Sequence, residues 1–146
     1  MNFTRLDFGN DFKWGVSTAA YQTEGAFDKD DKGLSIWDKF TSVKGNILNN
    51  ENANTSCNFY YRYTQDITLM SLMNIPNYRF SISWSRIFPN GTGKVNQDGI
   101  VFYNRVINFC LELEIEPWIT LYHWDLPYEL EKLDGWTNKP YRHSLV

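Results

Sequence analysis

Residues 78–84, Tyr78-Arg79-Phe80-Ser81-Ile82-Ser83-Trp84, form a short run rich in aromatic and β-branched side chains, the signature of a strand. On its N-terminal side Tyr60, Tyr63, Ile67 and Met70 recur at helical spacing, with Leu69 and Met73 widening the stripe. Asn58 is placed to cap that helix, and Pro76 to follow its end. On the C-terminal side the turn-rich loop Pro89-Asn90-Gly91-Thr92-Gly93 precedes a second helical stripe, Ile100, Tyr103, Ile107, Cys110 and Leu111, capped by Asn96 or Asp98. Pro117-Trp118-Ile119-Thr120-Leu121-Tyr122 then reads as another strand. Toward the start of the chain, Phe12 to Thr18 reads as the first strand, and Ser35 to Phe40 as a short helix within the polar stretch from Asp28 to Asn58. The order strand, helix, strand, helix, strand indicates right-handed βαβ units with parallel strands.

Parallel strands need cover on both faces, and three of them make a poor sheet. A closed (β/α)8 barrel uses eight strands and typically ~250 residues. The expected fold class is therefore α/β, a (β/α)8 TIM-barrel of which only the first three β/α units are present. Residues 1–146 read as the N-terminal part of one incomplete barrel domain.

Composition narrows the function. The net charge of -3, with 14 basic residues scattered and never in a run, argues against a nucleic-acid partner, which needs clustered Lys and Arg. No stretch approaches the ~18 apolar residues of a membrane span. Met1 to Asp7 has no apolar signal core and carries an early acid, so the expected location is cytoplasmic. The sequons at Asn2, Asn54 and Asn90 then read as chance matches. Cys57 and Cys110 fit no CxxC or Cys/His pattern and read as reduced thiols. With 2 His residues and no ligand spacing, a metal site lacks support and no cofactor is expected. Aromatic residues make up 17% of the chain. They fit either a heavily packed core or a cleft whose rings stack on a ligand with flat apolar faces, such as a sugar.

Polar and aromatic residues gather where the strands end. Tyr21, Gln22 and Glu24 follow the first; Arg79 lies on the second, with Trp84 and Arg86 at its end; His123, Trp124 and Asp125 follow the third. In a parallel barrel all the C-terminal strand ends open on the face that holds the active site. An amide, an imidazole and an indole there suit a sugar, since Gln and His can both donate and accept and Trp can stack.

Phe12-Lys13-Trp14-Gly15-Val16-Ser17-Thr18-Ala19-Ala20-Tyr21-Gln22-Thr23-Glu24-Gly25 resembles the N-terminal signature of family-1 glycoside hydrolases. Ser35-Ile36-Trp37-Asp38, Tyr78 to Ile87 and Thr120-Leu121-Tyr122-His123-Trp124-Asp125-Leu126-Pro127 resemble its next segments, in order and at the right spacing. The resemblance extends over residues 7–138 and implies a retaining mechanism on β-glucosides or β-galactosides, with 6-phospho sugars the substrates of some bacterial members. It implies that Gln22 and His123 hydrogen-bond the sugar in the cleaved subsite with Trp124 beside them. Arg79 would lie under the nucleophilic carboxylate, orienting it and keeping it ionised. Without the resemblance, Arg79 also fits a buried ion pair and Trp124 packing alone, and His123 reads first as a satisfied core histidine. Glu24 and Asp125 are structural in the family pattern and are not nominated.

Retaining hydrolysis needs two carboxyl groups ~5–5.5 Å apart. The resemblance places them in an Asn-Glu-Pro and a Glu-Asn-Gly segment, and neither tripeptide occurs here. The 146-residue chain is therefore expected to be inactive alone. Its expected partner is a β-linked glycoside. The alternative is a non-catalytic sugar-binding or interaction fragment, completed by a complementing C-terminal chain or self-associating through exposed barrel edges. One stretch and two single positions depart from the family pattern: Asn54 to Asn58 carries amides in place of acids, Tyr61 stands for a His, and Asn74 for a Gly. Lys139 to Val146, with Pro140, loses the amphipathic pattern of a third helix, which raises the expectation of a truncated or frameshifted gene.

Overall fold

The computed structural model of the chain describes residues 4–138. Its elements run β1 (Val16–Ser17), α1 (Ala20–Thr23), α2 (Ile36–Ser42), α3 (Phe59–Leu72), β2 (Asn77–Ser81), α4 (Trp84–Ile87), α5 (Gln97–Glu112), β3 (Glu116–Thr120) and α6 (Tyr128–Glu131). The strands form one parallel sheet in the order β1-β2-β3. Val16 lies beside Tyr78 and Tyr78 beside Pro117, whereas Ser17 lies beside Arg79 and Arg79 beside Trp118. The expected α/β alternation with parallel strands is present. The tail reading falls on residues 139–146, outside the described residues.

Side chains alternate along a strand, and the two faces of β2 meet different surroundings. Tyr78 and Phe80 point toward α3 and α5 and are buried with Phe59, Ile67, Phe102, Val106 and Cys110. Each such side chain contributes roughly 1.5–3 kcal/mol through burial. The opposite face carries Asn77, Arg79 and Ser81. Asn77 bonds across it, donating Nδ2–H to the Trp14 carbonyl at 2.6 Å and accepting from Trp118 Nε1 at 3.3 Å. Arg79 and Trp118 stay exposed there.

The helical stripes sit slightly off the expected faces. On α3, Tyr60, Tyr63 and Met70 pack on the core as expected, but Leu69 is 57% exposed and Met73 is exposed as well. On α5 the buried set is Phe102, Tyr103, Val106 and Cys110, with Ile107 partly buried and Leu111 exposed. An apolar stripe wider than the contact with the sheet leaves its margins in solvent. Asn96 caps α5 as expected, its Oδ1 accepting from Asp98 N–H at 3.2 Å. Asn58 holds the cap position of α3 in a left-handed conformation (φ 58°) without a side-chain cap bond. Asn74, which stands where the family often has Gly, is also left-handed (φ 54°). Asn tolerates that region better than most non-glycine residues, so the departure is accommodated.

All three strand readings shift, and the third, read as Pro117 to Tyr122, runs Glu116–Thr120. The first shrinks to Val16–Ser17, and Phe8, Phe12 and Trp14 ahead of it cluster with ring centroids 4.8–5.0 Å apart. Trp84 opens α4 rather than closing β2, and its Nε1–H donates to the Gly91 carbonyl at 2.9 Å. With Leu126 and Leu130 it forms a second, smaller core beneath the strand ends. Among the described residues no helix is long and apolar enough to cross a membrane.

Candidate functional site

Each strand delivers a short loop or helix at its C-terminal end, and these segments meet. Ala20 N–H donates to Ser81 Oγ at 2.7 Å, tying the first turn of α1 to the end of β2. The main-chain carbonyl of Gln22 accepts from Ser56 Oγ–H. After β3, residues 121–127 are anchored on the segment that leads into α2. Ile36 N–H donates to the Leu126 carbonyl and Tyr128 N–H to the Leu34 carbonyl, both at 2.8 Å, around an antiparallel bridge of Ser35 and Pro127. That segment starts α2 with a reciprocal cap, in which Ser35 Oγ accepts from Asp38 N–H at 3.2 Å and Asp38 Oδ2 accepts from Ser35 N–H at 2.8 Å.

The result is an open depression of about 390 Å³ lined by Ala19, Tyr21, Gln22, Trp37, His123 and Trp124. Three of the four site residues expected from the sequence, Gln22, His123 and Trp124, come together in it. Trp124 is 72% exposed and sits at φ 68°. The fourth, Arg79, lies elsewhere, in a second open depression of about 280 Å³ with Lys13, Ser17, Asn77 and Trp118 on the open sheet face. Among the described residues no carboxylate lines either the first depression or its neighbour around Arg79.

Tyr21 and Trp37 are lining residues that pattern reading did not nominate. Their rings lie 6.1 Å apart, and Tyr21 Oη and Thr41 Oγ1 share a 3.3 Å hydrogen bond. Burial raises the Tyr21 phenol above its ordinary range, so it stays neutral. The available signal was the position of Tyr21 beside Gln22 and of Trp37 inside the Ser35-Ile36-Trp37-Asp38 run that carries the family resemblance. Neither residue reveals by spacing that α2 folds back onto α1.

Beneath the depression the polar residues are structural. Glu24 accepts from Arg86 Nε–H at 3.1 Å and from Tyr103 Oη–H at 2.6 Å. The fully buried Arg86 guanidinium also lies 4.5 Å from the Tyr60 ring centroid. Burial, and then the Glu24 charge, hold the Tyr103 phenol well above its ordinary range. Lys32 Nζ bridges to Asp38 Oδ2 at 3.1 Å. Asp125 is 1% exposed, and its Oδ1 accepts from His123 N–H at 3.4 Å. Burial pushes its carboxyl up to about 6, with the Glu24 charge adding to the rise, while the main-chain N–H groups of Asp125 and His123 and the Lys32 ammonium oppose it. Glu24, Lys32, Asp38 and Asp125 line one small void of about 10 Å³, room for a single water. Among the described residues no group of three or more His, Cys, Asp or Glu is arranged to hold a metal ion.

Comparison with known proteins points one way. The family model described as glycosyl hydrolase family 1 matches residues 4–144. Beta-glucosidase A of Acetivibrio thermocellus is 52% identical over 93% of this chain and 30% of its own length. The structure of a Thermotoga maritima beta-glucosidase in complex with glucoimidazole superposes with a TM-score of 0.86 at 48% identity, over 88% of this chain and 29% of that one. A rice beta-glucosidase mutant in a covalent complex with Glc superposes with a TM-score of 0.92 at 46% identity, over 96% of this chain and 30% of that one. The chain thus spans about 30% of the length of these relatives. Matched along nearly all of its own residues by sequence and by backbone, the chain belongs to glycosyl hydrolase family 1.

Proposed function

We propose that this chain is the sugar-binding sector of a retaining β-glucosidase barrel, its first three β/α units, and that it does not hydrolyse glycosides alone. The observation that carries this reading is the convergence of Gln22, His123 and Trp124 in one open depression at the C-terminal ends of the strands. In this role Gln22 and His123 hydrogen-bond hydroxyls of the sugar and Trp124 flanks its ring. Arg79, one strand away on the open face, supports the nucleophilic carboxylate from below once that carboxylate is supplied.

The carboxylates of this chain do not substitute for the catalytic pair. Retention requires two carboxyl groups ~5–5.5 Å apart on either side of the scissile bond. Glu24 is engaged by Arg86 and Tyr103, Asp38 by Lys32 and Ser35, and Asp125 by the His123 main chain. None lines the depression that holds Gln22 and His123. The open face bearing Arg79 and Trp118, with both β1 and β3 at sheet edges, favours completion by strands four to eight, in the same polypeptide or in a complementing chain. The test is hydrolysis of an aryl β-glucoside by the purified 146 residues. The proposal expects no turnover above that of heat-denatured chain. Turnover that survives size-exclusion purification as a monomer would refute it.

A further inference from the structure

Three separate segments line the candidate sugar depression: residues 19–22 of the β1–α1 region, Trp37 of α2, and His123 and Trp124 after β3. Each carries an acid one to three residues away that turns inward: Glu24, Asp38 and Asp125. All three acids line the same small void beneath. Two of them are held by cations, Glu24 by Arg86 and Asp38 by Lys32. Asp125 is not. Its Oδ1 bonds to His123 N–H, and its buried Oδ2 has no hydrogen-bond partner among the described residues.

A buried carboxylate oxygen left unpaired costs free energy, and Trp124 adds to that cost. Its φ of 68° is left-handed, a conformation unfavourable for a bulky residue unless the surroundings over-determine it. The backbone on one side of it is held by β3 and on the other by the Leu126–Ile36 bond and the Ser35–Pro127 bridge. Residues 121–125 lie between these anchors, and within them the side chain that reaches back across the His123–Trp124 step is Asp125.

Resting on the sugar-binding reading above, we propose that Asp125 is a positioning residue: its buried carboxylate folds the His123–Trp124 step back so that imidazole and indole face the same depression as Gln22 and Trp37. It touches no sugar and acts through the His123 main chain.

The experiment compares Asp125→Ala with Asp125→Asn in the full chain, because Asn keeps an oxygen where Oδ1 accepts from His123. Amide hydrogen exchange by NMR reads the His123 N–H directly and needs no sugar. Loss of one such bond is expected to speed His123 exchange about tenfold in Asp125→Ala, with Asp125→Asn within about threefold of the parent chain. Val106→Ala, in the distant core of α5, controls for destabilisation and is expected to leave the His123 rate relative to its neighbours unchanged. The second readout is glucoimidazole affinity, expected to fall in Asp125→Ala and to recover in Asp125→Asn. Unchanged His123 exchange in Asp125→Ala, or equal acceleration in both variants, overturns the positioning role. Absence of glucoimidazole binding by the parent chain instead counts against the sugar-binding reading, and the exchange data still decide the role of Asp125.

Discussion

The two faces of β2 differ by a single step along the strand and by everything that surrounds them. Tyr78 and Phe80 are buried against α3 and α5, and their identities answer to packing within this chain. Arg79, between them in sequence, faces the other way onto a surface shared with Trp118, and among the described residues no carboxylate lines the depression around it. One face is complete and the other is an invitation. A long cation on an open parallel sheet makes no sense as packing, since parallel sheets are covered on both faces in finished proteins. On the proposed reading it is half of an ion pair whose other half is a carboxylate from the rest of the barrel.

That contrast breaks most sharply by mutation. Phe80→Ala should cost about 3–5 kcal/mol by removing a buried aromatic from the packed face. Arg79→Ala should stay within about 0.5 kcal/mol, as an exposed substitution away from any partner. Urea unfolding of both variants measures the difference, and near-equal costs would mean that Arg79 is held by the fold rather than waiting on it.

The next effect lies under the strand ends and depends on pH. In the folded chain the Asp125 carboxyl is raised from 3.8 to about 6, burial being the main cause. A raised carboxyl means that the folded state binds the proton more tightly than the unfolded state. Its stabilising contribution is therefore present below about pH 4 and is lost as pH rises through about 6. The groups around it are Glu24, Lys32 and Asp38 at the void and the main chain of His123. Asp125→Asn removes the titration. Between pH 4 and 7 the parent chain should lose on the order of 2–3 kcal/mol relative to this variant. Urea midpoints of the two chains at pH 4, 5.5 and 7 test it, and parallel pH profiles would show that Asp125 titrates normally.

A smaller effect separates the depression from the cores. Ser35→Ala removes the reciprocal cap that starts α2 and should cost about 1 kcal/mol. Since α2 carries Trp37 into the depression, Trp37 emission should also change. An unchanged spectrum would place the docking of α2 on the Leu126 and Tyr128 backbone bonds alone.

How much of this was legible in the sequence follows the same division. Burial within the chain leaves periodic traces, so the helix–strand order, the Asn96 cap and most of the Tyr60–Met70 stripe could be read in advance. Stripe margins misled, because Leu69, Met73 and Leu111 continue the apolar pattern beyond the width of the sheet beneath them. The end of β2 misled for a different reason: Trp84 has strand propensity, but its indole N–H finds the Gly91 carbonyl only when the chain turns into α4. Gln22, His123 and Trp124 were reachable through the family resemblance and the strand-end rule together. Tyr21 stood in the strand-end cluster without being nominated, and Trp37 was not reachable, since α2 is anchored by the bridge between Ser35 and Pro127, 92 positions apart in sequence. Arg86, read as part of the strand-end cluster, proves to be a buried strut on Glu24.

The central claim is that Gln22, His123 and Trp124 already form a sugar-binding half-site in these 146 residues. The most direct measurement is a calorimetric titration of the chain with glucoimidazole, repeated on Gln22→Ala, Trp124→Ala and Arg79→Ala. The account expects weak binding, on the order of millimolar, abolished by the first two substitutions and unchanged by the third, whose partner is absent. Binding that ignores Gln22 and Trp124, or no binding by a chain shown to be folded, would contradict it.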